Sequence, residues 1–142
     1  MGDTIRHNPS GIWPVAHFPF HHAVVEPQGR RIHISGQVAW DEERNIVAPG
    51  DAAAQTEFAL NNIQKILGSF GGNLEDVVSF LLFYVNEDDY KAVCDARAKI
   101  LPIEHGPATT AVKAAGLVDP DLVVEIAAVA VIPEARFINP EG

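Results

Sequence analysis

Leu122-Val123-Val124-Glu125-Ile126-Ala127-Ala128-Val129-Ala130-Val131-Ile132, set between Asp119-Pro120-Asp121 and Pro133, is the stretch on which the fold turns. It is apolar at every position except Glu125 and rich in β-branched residues. A run of this kind with turn residues at both ends reads as a strand buried on both faces. A carboxylate in such a strand is costly unless it is paired or kept protonated. Glu125 is therefore the first candidate for a functional residue. A structural glutamate, satisfied by backbone donors or by a water-exposed edge, fits the same pattern. The Thr-rich stretch His105-Gly106-Pro107-Ala108-Thr109-Thr110-Ala111-Val112-Lys113 is a second, shorter strand and the natural neighbour of Glu125.

Working outward, Val77 to Val85 is another almost wholly apolar strand. Tyr90, Val93, Cys94, Arg97 and Ile100 recur at helical spacing, and Pro102 stops that helix. A longer helix runs from Ala52 to Phe70, with Asp51 as N-cap and Phe58, Ala59, Asn62, Ile63, Ile66 and Leu67 on one face. Gly71-Gly72 supplies its left-handed stop. Nearer the start, His22 to Glu26 and Arg30 to Ser35 flank Pro27-Gln28-Gly29 and predict a β-hairpin. In its second strand Ile32 and Ile34 point one way, and Arg31, His33 and Ser35 the other. Gly36 ends or bends that strand and permits close approach by a ligand or another chain. Val38 to Trp40 and Ile46-Val47 are expected to continue the sheet. Residues 1–19, broken by Pro9, Gly11, Pro14 and Pro19, read as an unpatterned arm. Residues 136–142 read as a tail.

The order is ββ(β)αβαββ, an α+β layout with two helices on one face of a sheet. Two helices cover one face only, yet the strands at 77–85 and 122–132 lack the polar alternation of a water-facing sheet. The simplest cover for the second face is a copy of the chain in a closed ring. A homo-oligomer with sites between subunits is the expectation.

The 142 residues suffice for one domain with a real core, taken as 1–142. No window has the apolar length of a membrane span. The first ten residues lack a secretory pattern, and Arg6 stands where a myristoylation motif at Met1-Gly2 needs Ser or Thr. The single cysteine, Cys94, excludes an internal disulfide and a cysteine-based metal cluster. A cytoplasmic setting follows. Net charge is −9 with ten scattered basic residues, which counts against a nucleic-acid partner. There is no phosphate-cradling loop, Gly-x-Ser-x-Gly elbow or His-Glu-x-x-His. His17, His21 and His22 cluster, but His21 and His22 alternate across an extended segment, so no metal is expected there.

The ordered set of residues resembles the RidA/YjgF/YER057c/UK114 family of reactive intermediate deaminases, also labelled endoribonuclease L-PSP. The likeness runs from about Pro19 to Val131. It includes Ile34-Ser35-Gly36-Gln37, Ala54-Gln55-Thr56 with Ala59-Leu60-Asn61-Asn62-Ile63, and Gly71-Gly72-Asn73-Leu74-Glu75-Asp76-Val77-Val78. Further on come the acidic turn at 86–90, Gly106-Pro107-Ala108 and Val124-Glu125-Ile126. The resemblance implies a chorismate-mutase-like trimer with a central barrel and a cleft at each subunit interface. It also implies cofactor-free deamination of small enamines or imines. In such proteins an arginine grips the substrate carboxylate and a glutamate orients water.

Glu125 matches that glutamate, and Ser35 and Gly36 are kept. Phe20-His21-His22 stands where the family has Tyr-Ser-Gln. Pro107-Ala108-Thr109-Thr110 matches Pro-x-Arg-Thr/Ser, so Thr109 replaces the arginine. A neutral hydroxyl does not reproduce a bidentate guanidinium contact. The expected site is thus Glu125 as catalytic residue, with Phe20, His21, His22, Ser35, Gly36, Thr109 and Ala111 around a small-molecule substrate. Two functions are compatible with it. One is a divergent hydrolase that adds water to a C=N or enamine carbon and releases ammonia. The other is a non-catalytic trimer, a regulatory or binding protein of the same fold, that takes a small metabolite or a protein partner.

Overall fold

The structure, a computed structural model, describes residues 3–142. The Met1-Gly2 pair considered for lipidation lies outside them. In chain order the strands are β1 (Ile5–His7), β2 (Ala23–Val25), β3 (Arg30–Gln37), β4 (Val77–Tyr84), β5 (Ala108–Lys113) and β6 (Val124–Ile132). The helices are α1 (Ala52–Ser69) and α2 (Tyr90–Ile100). β6 lies inside a mixed four-stranded sheet of order β3-β6-β4-β5. It runs antiparallel to β3 and β4, while β5 pairs parallel with β4.

β6 alternates in burial. Val124, Ile126, Ala128 and Ala130 are buried in the core that α1 covers, together with Ala59, Leu60, Ile63 and Leu67 of that helix. Truncating Leu60, Ile63, Leu67 or Ile126 to alanine would cost about 2–5 kcal/mol, the usual range for a large core side chain. Asp51 caps α1 by accepting from the Ala54 amide at 3.0 Å. The helix ends where Gly71 takes φ 84° and the Gly72 amide returns to the Leu67 carbonyl at 2.9 Å.

The buried stripe of α1 is rotated from the expected one. Gln55, Thr56 and Leu60 are inside, whereas Phe58 and Asn62 are half-buried. Gln55, fully buried, explains the rotation. Its amide donates to the Ala48 and Asp121 carbonyls at 3.0 and 2.8 Å and accepts from the Val123 amide at 2.9 Å. The side chain thereby satisfies the backbone at the entry to β6, which a purely apolar pattern does not foresee.

Three expectations are corrected. The hairpin between 22–26 and 30–35 does not form. β2 pairs antiparallel with β1, so the residues expected to be an unpatterned arm contain its partner strand, and β3 pairs with β6 instead. Hydrophobic pairing with the apolar β6 outweighs the local turn. Val38 to Trp40 and Ile46-Val47 meet through one isolated bridge, Trp40 with Ile46, outside the sheet. Within one chain β6 is not buried on both faces: Glu125, Ala127 and Val129 are half-buried.

Their face of the sheet is the one opposite the helices. The strand register aligns Ser79, Leu81 and Phe83 of β4 with Val129, Ala127 and Glu125 of β6, and with Ala108, Thr110 and Val112 of β5. Leu81 is 41% exposed and Val112 38%.

Candidate functional site

The N-terminal segment crosses the entry of β5 and builds one pocket there. The His21 amide donates to the Pro107 carbonyl at 3.4 Å, and His21 bridges Ala108 in parallel. The approach is close because Gly106 has no side chain. A Cβ there would lie 2.7 Å from the Pro19 oxygen and 2.8 Å from the Phe20 nitrogen. The pocket between segment and sheet has a volume of about 340 Å³ and is lined by Trp13, Phe20, His21, His22, Ser79 and Thr109, among others.

The two histidines are held through opposite ring nitrogens. His21 Nδ1 sits 2.6 Å from the Gly106 carbonyl, and His22 Nε2 sits 2.8 Å from the Trp13 carbonyl. A carbonyl only accepts, so each of those nitrogens is the donor. In the neutral ring that leaves His21 Nε2 and His22 Nδ1 as acceptors.

Thr109 is tied from behind by a residue that the resemblance did not bring forward. Arg97 of α2 is 2% exposed. Its Nη2 donates to Thr109 Oγ1 at 2.9 Å and to the Pro19 carbonyl at 3.2 Å. The Thr109 hydroxyl in turn donates to the Pro107 carbonyl at 3.1 Å. Burial pushes the Arg97 guanidinium down to about 10, so it keeps its charge at neutral pH. Its guanidinium carbon lies 5.3 Å from the centre of the Phe80 ring. The sequence signal was an arginine on the otherwise apolar stripe of α2, which the spacing alone assigned to packing.

Glu125 belongs to a second group. It pairs across the sheet with Phe83 and lies against β3 where the register with β6 shifts between Ile34 and Gln37. A Cβ at Gly36 would overlap Glu125 Oε2 and stand 2.8 Å from its Cδ. Gly36 thus gives the carboxylate its space. Ser35 and Gly36 are exposed and Glu125 is half-buried. No salt bridge among the described residues reaches Glu125.

The residues expected to form one site therefore fall into two. Phe20, His21, His22 and Thr109 share the pocket, whereas Ser35, Gly36 and Glu125 share the other end of the sheet. Phe83, beside Glu125, is four residues along β4 from Ser79 in the pocket wall, or about 13 Å at strand rise. Ala111 pairs with Leu82, is exposed, and lies beyond the pocket lining. Trp13, Ser79 and Gly106 join the first group without having been expected.

The family profile described as Endoribonuclease L-PSP matches residues 13–132. The chain is 41% identical over 99 residues to the 3-aminoacrylate deaminase RutC of Acinetobacter baylyi, covering 70% of this chain and 77% of that protein. Its fold is similar to that of the Rid-family protein YyfB of Yersinia pestis, at a TM-score of 0.79 and 32% identity over 91% of this chain and 98% of that one. It is also similar to RidA of the Antarctic bacterium Psychrobacter sp., at a TM-score of 0.67 and 29% identity over 88% and 94% of the two chains. On sequence and on fold together, the chain belongs to the endoribonuclease L-PSP family, the Rid or YjgF proteins.

Proposed function

We propose that this protein is a cytoplasmic homotrimer that hydrolyses a small enamine or imine and releases ammonia, with Glu125 handling the water in a cleft between subunits. The observation that carries this reading is the Glu125 carboxylate, half-buried against the bare backbone of Gly36 on the helix-free face and unpaired with any cation among the described residues. Such a carboxylate is accessible to water and free to accept a proton. The likeness to a deaminase that acts on 3-aminoacrylate supports the reaction class.

The chemistry needs water alone. Glu125 accepts a proton as the water oxygen bonds to the imine carbon, and the π electrons of C=N move to nitrogen. The proton returns to that nitrogen, giving a neutral carbinolamine. Transfer of the hydroxyl proton to the amine then breaks the C–N bond, leaving a carbonyl product and ammonia. An enamine enters the same route after protonation at carbon.

The pocket of Phe20, His21, His22 and Thr109 would hold the rest of the substrate. Because it lies about 13 Å along the strand from Glu125 in one chain, the cleft is assigned to a pocket from one protomer and a carboxylate from the next. The test is ammonia release from imines generated in place by an amino-acid oxidase. Glu125→Gln should lower the rate about 10²-fold or more while leaving the fold intact, since a positioned proton acceptor contributes roughly that much.

A second reading has one observation in its favour. Thr109 is engaged by Arg97 and Pro107 and presents no arginine fork to a substrate. On that reading the protein binds a small metabolite without turnover. Ligand-dependent thermal stabilisation with no ammonia from any imine tested would select it.

A further inference from the structure

Arg97 is a buried cation with no salt-bridge partner among the described residues. The acidic groups that act on its charge are Cys94 and Tyr90 of its own helix. Burial pushes the Tyr90 phenol up to about 12 and raises the Cys94 thiol, so both stay neutral near pH 7 and neither is a counter-ion. Across from α2 the guanidinium meets the Phe80 ring, the Pro19 carbonyl and the Thr109 hydroxyl. None of these carries a negative charge. Its Nε is buried without a partner. The pocket that Thr109 opens onto is likewise lined without any carboxylate, although the chain as a whole carries a net charge of −9.

We propose that Arg97, acting through the Thr109 hydroxyl, tunes this pocket for a small ligand bearing an anionic oxygen group such as a carboxylate. Thr109 Oγ1 accepts from Arg97 Nη2, so its own proton is the group left to donate, and it points to the Pro107 carbonyl 3.1 Å away. A negatively charged oxygen in the pocket is a better acceptor than that carbonyl. Rotation about one side-chain bond would hand the proton to the anion, with the guanidinium charge directly behind. The arrangement moves a cation from the strand to the neighbouring helix and interposes a hydroxyl. Arg97 is thus a positioning residue, not a catalytic one.

The inference rests on the pocket being the ligand site of the proposed function, but its test reads binding and not turnover. Butyrate and butyramide have nearly the same shape and differ in charge. Binding of each to the full chain is followed by NMR shifts of the His21, His22 and Thr109 signals. The wild type should bind butyrate about tenfold or more tightly than butyramide, as one charge-assisted contact warrants. Arg97→Gln removes the charge and keeps a polar amide on α2, although the shorter side chain does not carry its donor as far as Thr109 and Pro19; it should bring the two affinities together. Arg97→Lys should retain a preference for butyrate. If Arg97→Gln does not fold, Thr109→Val on the edge strand interrupts the same relay and should erase the preference.

Equal affinities in the wild type, no binding of either compound, or a preference that survives Arg97→Gln or Thr109→Val would overturn the proposal. In that case Arg97 only clamps the N-terminal segment to β5. Absence of ammonia release alongside a normal butyrate preference would count against the proposed hydrolysis and leave this inference standing.

Discussion

Gly36 and Glu125 illustrate how one side chain's absence sets another's position. Gly36 does not need glycine for its backbone angle, since positive φ among the described glycines occurs elsewhere. It needs glycine for the space that Glu125 Oε2 fills. The atoms in the way are the end of a flexible side chain, so Gly36→Ala should fold and should melt within a few degrees of the wild type. The carboxylate must move instead. A displacement of about 1 Å of a catalytic group can cost about 10²-fold in rate, so ammonia release should fall by that order. Normal turnover in Gly36→Ala would show that the position of Glu125 against β3 is irrelevant. Glu125 stood out in the sequence as the one charge in an apolar strand, and Gly36 as a glycine ending another. Their contact was not legible, because it depends on β3 pairing with β6 and not with β2.

At the scale of elements, two polar devices fix parts that hydrophobic spacing leaves loose. The first is Gln55, whose amide serves the carbonyls of Ala48 and Asp121 and the amide of Val123. Each buried backbone group left without a partner costs about 1–3 kcal/mol. Gln55→Leu is therefore expected to destabilise by about 3 kcal/mol or more, read from the denaturant midpoint, despite being a polar-to-apolar change in a core. A neutral or stabilising result would mean that the three bonds are dispensable. The second is the seating of the N-terminal segment on Gly106. There a Cβ would meet backbone atoms of Pro19 and Phe20, which cannot turn aside as a side chain can. Gly106→Ala should lift the segment, raising amide exchange through residues 13–22 while the helices and β6 keep their protection. Helix existence, helix ends and the strands at 77–85 and 122–132 were legible from period and caps. The rotation of α1 was not, because a buried glutamine reads as a surface residue until its partners are known.

For the whole molecule, the sheet has one face under helices and one without them, and the expected site is divided between its ends. Leu81 and Val112 are exposed on the helix-free face, next to Phe83, Ala127 and Val129. The apolar runs in the sequence carry the expectation that this face is covered by another copy of the chain. They could not foretell that the pocket and the carboxylate of one chain would lie apart. The proposed closed ring of three copies would answer both features, since it would cover the face and bring the two halves together from different protomers. Leu81→Glu should then yield a monomer in sedimentation experiments and lose ammonia release, although Glu125 itself is untouched. A sharper test mixes two inactive variants. Glu125→Gln keeps a good pocket, and His21→Ala keeps a good carboxylate. If each site draws on two protomers, every mixed trimer regains one complete site of its three. Random mixing of equal amounts, by unfolding and refolding together, should recover about a quarter of wild-type activity, from three-quarters of trimers being mixed and a third of their sites being whole. If each protomer holds its own complete site, no mixture recovers anything. The same null result would follow if the helix-free face met a different protein instead of a copy of this chain.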